Sequence, residues 1–307
     1  MTTFNKDAFR GLYYSTRAGV KHYFQQWRPL PEPNPILVYS MRKVGSTSLT
    51  STLRASGHSV YKHHCINLDL NSELQRALSR TGFKPQHWLT DGVHFHKRLA
   101  RWRAGNQALH AKKRLRIFTF VKDPLATALS DYFMQLYEFI PEAIPARQLD
   151  RLDNLKRYFQ DVLQASVDGG ASDPVTDFLA RLTAMPNDWF ERELKTTMGI
   201  DVLTTPFSME KGYRIYHGHD SDAVLIRTDK LSGVALEAIE ALTGDRPVEL
   251  IEKNVRATTP EGELYRSLVN SLKLPEPLVR QFYRQPWLSH FYSDSEIKAM
   301  VSRWSHA

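Results

Sequence analysis

Short apolar runs alternate with stretches of helical periodicity from residue 36 onward. Ile36-Leu37-Val38-Tyr39 is an apolar run of the buried-strand type, followed by a polar loop and a helical pattern through Leu49 and Leu53 that stops at Gly57. Val60-Tyr61 reads as a second strand, and Asn71 or Ser72 is placed to cap a helix carrying Leu74 and Leu78. Ile117-Phe118-Thr119-Phe120-Val121 is the clearest strand. It ends at Asp123-Pro124, a cap followed by proline at the first helical position, which opens a helix running towards Phe139. Residues 148–200 read as mostly helical, with a second start of this kind at Asp173-Pro174. Tyr213–Tyr216 and Val224–Ile226 read as two more strands, joined as a hairpin across His217-Gly218-His219-Asp220. Beyond Leu231 the pattern is helical again and closes on the capping box Ser293-Asp294-Ser295-Glu296.

This alternation predicts an α/β chain: a parallel central sheet with helices on both faces, helical insertions and a helical C-terminal region. A single domain over 1–307 is expected, made of an N-terminal helical extension (1–33), a core (34–140), a helical insertion (141–212) and the remaining strands and C-terminal helices (213–307). Within the extension, residues 5–27 form an amphipathic pattern that Pro31, Pro33 and Pro35 separate from the first strand. Packing against the body and peripheral contact with a membrane surface both stay open for it.

Composition narrows the class. Lys plus Arg is 41 and Asp plus Glu is 33, so the formal net charge is +8, which favours anionic partners. The excess is local: from Gly92 to Lys122 there is no acid and there are nine cations. That segment carries no zinc-finger spacing, RNP motif or repeated basic and aromatic interleaving, so nucleic acid is not the expected partner. No apolar run is long enough to span a membrane and the start is polar, so a cytoplasmic chain is expected. A single cysteine, Cys65, excludes an internal disulfide and multi-cysteine metal sites.

The candidate chemistry begins at Arg42-Lys43-Val44-Gly45-Ser46-Thr47-Ser48, which joins a strand to a helix. Helix-start N–H groups, a glycine that lets the backbone approach closely, a hydroxyl run and a lysine together make an anion cradle. It is not the P-loop of nucleotide triphosphatases, because there the lysine follows the second glycine.

Lys43-Val44-Gly45-Ser46-Thr47-Ser48 resembles the loop with which sulfotransferases hold the 5′-phosphosulfate of 3′-phosphoadenosine 5′-phosphosulfate (PAPS), with Arg42 where proline is common. A partner motif is present as well. Lys122-Asp123-Pro124 followed by Ser130 is similar to the strand-end Arg, Asn or Asp, Pro and later Ser that clasp the 3′-phosphate, with Lys122 in place of the usual arginine. The resemblance implies that 34–140 is a nucleotide-binding core with a P-loop-like sulfotransferase fold, that PAPS is the donor and that no metal is required. Arg227 stands where such enzymes often place a tyrosine near the adenine, and is assigned to the nucleotide's phosphate. Lys253 and Arg256 would supply late cationic contacts.

Lys62-His63-His64 ends the second predicted strand and is similar to the Lys-Thr-His of cytosolic sulfotransferases, which points to His64 as general base with His63 as the fallback. Asp69 and Glu73 are near enough in sequence to orient it, and His94 and His96 are placed to touch an acceptor. Trp189-Phe190, Gly199-Ile200-Asp201, Pro206-Phe207, Gly212-Tyr213 and His290–Ser293 with Trp304 resemble a bacterial family of capsular polysaccharide synthesis proteins. This likeness implies a hydroxyl-bearing carbohydrate or glycoconjugate acceptor. Two rival readings are a nucleotide-dependent phosphotransferase and a non-catalytic glycan- or membrane-surface binding protein.

Overall fold

The computed structural model describes Leu30 and residues 34–110, 112–252 and 260–306. The amphipathic stretch 5–27 and the cations Lys253 and Arg256 lie outside the described residues. Strands β1 (Ile36–Tyr39), β2 (Val60–His63), β3 (Leu115–Val121), β4 (Tyr213–His217) and β5 (Ser221–Arg227) form one sheet in the order β2-β1-β3-β5-β4. The first three strands and β5 run parallel, and β4 pairs antiparallel with β5. Three residues between β4 and β5 can only close a hairpin, which is why the sheet carries one reversed edge. The four residues of β1 are all buried, as expected of a strand flanked on both sides.

Helices fill the connections. They are α1 (Ser46–Ala55), α2 (Leu68–Arg80), α3 (His87–Ala108) and α4 (Pro124–Met134), the last continuing as a π-helical turn over Gln135–Phe139. The insertion holds α5 (Ala143–Arg147), α6 (Leu152–Asp168), α7 (Pro174–Ala184) and a second π-helical segment, Phe190–Thr197. The C-terminal region holds α8 (Leu231–Thr243), α9 (Pro260–Ser271), α10 (Glu276–Phe282), α11 (Leu288–Phe291) and α12 (Asp294–Trp304).

The start of α2 differs from expectation. Asn67 caps it, accepting from the Leu70 N–H at 2.9 Å, while Asn71 lies buried inside the helix and donates to the Leu89 carbonyl at 2.8 Å. At α4 the Asp123 carboxylate caps Leu125 and Ala126 and also accepts from the Tyr283 hydroxyl at 2.5 Å and the Trp304 indole at 3.0 Å. One acid therefore ties the C-terminal helices to the end of β3. Sheet, insertion and C-terminal aromatics share one apolar core. Among the described residues, no helix is long and apolar enough to cross a membrane.

Candidate functional site

The C-terminal ends of β1, β2, β3 and β5 emerge on one edge of the sheet, where open parallel sheets bind ligands. After β1 the backbone turns sharply: Lys43 has φ 62° and Gly45 φ 88°, both left-handed. Gly45 is the N-cap of α1, with no side-chain cap of its own and no acid in the first turn, so the helix-start N–H groups face the loop without a capping side chain from that position. A Cβ at Gly45 would sit 3.3 Å from Leu231, and Thr228 donates to the Val44 carbonyl at 2.9 Å, so the end of β5 braces the loop.

An open cleft of about 310 Å³ is lined by Arg42, Lys43, Gly45 to Ser48, Lys62, His64, His87, Trp88, Met134 and Phe139. Among the described residues its lining holds three cations and no carboxylate. Lys62 donates to the Thr47 hydroxyl at 2.9 Å and so fastens β2 to the loop. Burial, with Arg54 and Arg42 nearby, lowers its pKa. Lys122 does not line the cleft but reaches the loop from the end of β3, donating to the Lys43 carbonyl at 3.2 Å. Its pKa is also lowered, chiefly by burial.

His64 lies on the cleft side with Lys62, two positions apart as the strand period requires, whereas His63 points away. The His63 ring packs on Phe95 with centroids 4.3 Å apart. This corrects the fallback assignment, because His63 is held against an aromatic core residue outside the cleft. The His64 Nδ1 lies 2.8 Å from the Ser40 carbonyl. That contact selects the tautomer protonated at Nδ1 and leaves the Nε2 lone pair as the ring's basic position. Burial first, then the positive charges of Lys62 and Arg42, lower the His64 pKa to about 3, so the ring is neutral at ordinary pH.

Further expectations are corrected. Arg42 is buried and paired with Asp131 at 2.8 Å, with its guanidinium 4.4 Å from the Trp88 ring centroid, so it forms wall and not a mobile phosphate ligand. Arg227 is committed to Asp229, Glu296 and the Phe291 carbonyl, a set that uses all three guanidinium nitrogens and anchors the C-terminal helices. Glu73 pairs with Arg192 at 2.8 Å and does not orient His64. Ser130 is buried on α4, one turn before Met134, and does not line the cleft. His96 Nδ1 lies 3.2 Å from the Ile66 carbonyl, and the turn at 217–220 forms as expected, with His217 on Asp222 at 2.7 Å.

What holds His64 comes from the insertion. The Trp189 indole donates to the His64 carbonyl at 3.0 Å. One turn on, a single oxygen of the buried Glu193 carboxyl accepts from the Ile66 and Asn67 N–H groups at 3.1 and 2.9 Å and from the Tyr39 hydroxyl. Its other oxygen has no partner among the described residues, and burial raises its pKa to about 7. Nothing in Phe190-Glu191-Arg192-Glu193-Leu194 marks the second acid as the buried one. Lys62 was missed as a cleft residue as well, although its two-residue spacing to His64 is a signal that could have found it.

Compared with known protein families, with curated proteins and with solved structures, this chain finds no match.

Proposed function

We propose that this chain is a sulfotransferase that moves a sulfuryl group from PAPS to a hydroxyl of a carbohydrate or glycoconjugate. The observation that carries the reading is that the 42–48 loop, Lys62 and His64 line one cleft without a carboxylate, while Lys122 bonds to the same loop. Donors of this kind fit a phosphosulfate: the N–H groups at the start of α1, the lip lysine Lys43 and Lys62. The donor supplies an activated sulfur bonded through oxygen to a phosphate. His64 takes the acceptor hydroxyl's proton at Nε2 as the acceptor oxygen bonds to sulfur and the sulfur–oxygen bond to the phosphate breaks. Lys43, Lys62 and the α1 N–H groups stabilise the charge gathering on the departing phosphate oxygen. With its pKa near 3, His64 is always in the proton-accepting form above pH 5, so the rate has no acidic limb near pH 6.5.

Calorimetry with 3′-phosphoadenosine 5′-phosphate, ADP and ATP, paired with transfer of radiolabelled sulfate to cell-envelope glycans, tests this. A preference set by the 3′-phosphate is expected. Lys43→Ala should weaken nucleotide binding and turnover together by about tenfold or more, from loss of a charge-assisted contact. His64→Ala should bind normally and fail to transfer. Unchanged turnover in the His64 variant sinks the base assignment; indifference to the 3′-phosphate sinks the donor.

A further inference from the structure

The acid-free segment that the cleft does not use lies at the other edge of the sheet. Helix α3 starts at the cleft with His87 and Trp88, and its last turns reach the N-terminal ends of β3 and β5. There Arg103 pairs with Asp220 at 2.7 Å and Arg114 with Asp222 at 2.6 Å, so the two acids of the β4–β5 hairpin are already neutralised. Asn106 ties the last turn of α3 to Lys113: its amide donates to the Lys113 carbonyl at 2.9 Å and its oxygen accepts from the Lys113 N–H at 3.3 Å.

The side chains of the turn after α3 are basic around one apolar residue. An open cavity of about 680 Å³ is lined by Arg103, His110, Lys112, Lys113, Arg114 and His219, and its sole carboxylate, Asp220, is the one held by Arg103. Leu109, at the end of α3, is 74% exposed, one of three exposed large apolar side chains among the described residues. Lys97 and Arg101 are exposed on α3 one helical turn apart, the nearer about 12 Å from Leu109 at 1.5 Å per residue. Lys112 and Lys113 flank the apolar tip, with Arg101 and Lys97 about 12 and 18 Å back along α3, and this set matches an anionic bilayer: cations meet headgroup phosphates, and the leucine enters the acyl boundary. A soluble polyanion would use the cations and leave Leu109 in water.

We infer that the turn after α3, through Leu109, Lys112 and Lys113 with Lys97 and Arg101 beside it, docks the protein on an anionic lipid surface. Independent of the transfer reading, this puts the docking turn and the candidate cleft at opposite edges of the sheet. The seven residues of β3 separate the two edges by about 23 Å.

Co-sedimentation of the full chain with vesicles tests the inference, using phosphatidylcholine alone and phosphatidylcholine with phosphatidylglycerol at 0.1 M salt. Binding is expected only to the anionic vesicles. Lys112→Ala with Lys113→Ala should lower partitioning about thirtyfold, and Leu109→Ala by about tenfold. The control pair Lys84→Ala with Lys298→Ala removes the same charge elsewhere and should cost much less. All these side chains are exposed, and circular dichroism checks that each variant is folded. Absence of binding to anionic vesicles overturns the inference, as does equal loss in the two double variants. Wild-type binding by Leu109→Ala, with inorganic polyphosphate displacing the protein from vesicles, overturns it in favour of a soluble polyanion.

Discussion

Glu193→Gln isolates a buried charge under the candidate base. In the folded chain the carboxyl is fully buried and its pKa stands near 7; in the unfolded chain it returns to its ordinary value of 4.5. Below pH 4.5 both states hold the proton, between 4.5 and 7 chiefly the folded state does, and above 7 neither does. The folded state binds the extra proton, so this group's contribution to stability falls as pH rises through that window. Between pH 5 and pH 8 the loss amounts to about 2.5 kcal/mol, from a shift worth about 1.4 kcal/mol per pH unit and fully developed only inside the window. Glutamine cannot ionise and keeps an oxygen to accept from Ile66, Asn67 and Tyr39. Its new amide N–H groups meet no partner where the free oxygen stood, a fixed penalty of about 1–3 kcal/mol that does not vary with pH. The variant should therefore be destabilised at pH 5 and recover relative to wild type at pH 8 by about 2.5 kcal/mol. Urea unfolding of both proteins at the two pH values measures this directly. The same difference between them at pH 5 and pH 8 would refute the buried-carboxylate account.

Two other changes probe the packing behind the site. A Cβ at Gly92 would lie 1.8 Å from the Cys65 carbonyl oxygen, so Gly92→Ala must push α3 off the segment after β2. A loss of about 2–4 kcal/mol is expected in chemical denaturation, with weakened nucleotide binding. Arg42→Met leaves Asp131 buried without its cation and should cost about 3–5 kcal/mol, whereas Arg42→Met combined with Asp131→Leu should regain most of that; denaturant midpoints of the two variants decide it.

The parts of the fold legible in the sequence were those that local chemistry dictates. The five-residue apolar run at Ile117–Val121 with its Asp-Pro exit reads as a buried strand feeding a helix, and the turn His217-Gly218-His219-Asp220 between two strand patterns reads as a hairpin. The 42–48 loop was legible because glycine, hydroxyls and lysine crowd a single junction between a strand and a helix. Partnerships across long separations were not. Arg42 reads as a ligand for an anion because nothing local announces Asp131, 89 positions away, and at Arg227 the local Asp229 leaves Glu296, 69 positions away, unannounced. Asn67 and Asn71 are equally good caps by residue type, and only packing against Leu89 decides that Asn71 faces inward and leaves the cap of α2 to Asn67.

The hold on His64 bears on biosynthesis. Its carbonyl is gripped by an indole 125 positions further on, and the Ile66 and Asn67 N–H groups by a carboxyl beyond that. A nascent polypeptide leaving the ribosome carries β1, β2 and the 42–48 loop long before Trp189 has been synthesised, and Thr228, which braces that loop, comes later still. Until then the backbone behind His64 lacks its clamp, so the cleft reaches its final geometry only once the insertion and β5 are in place.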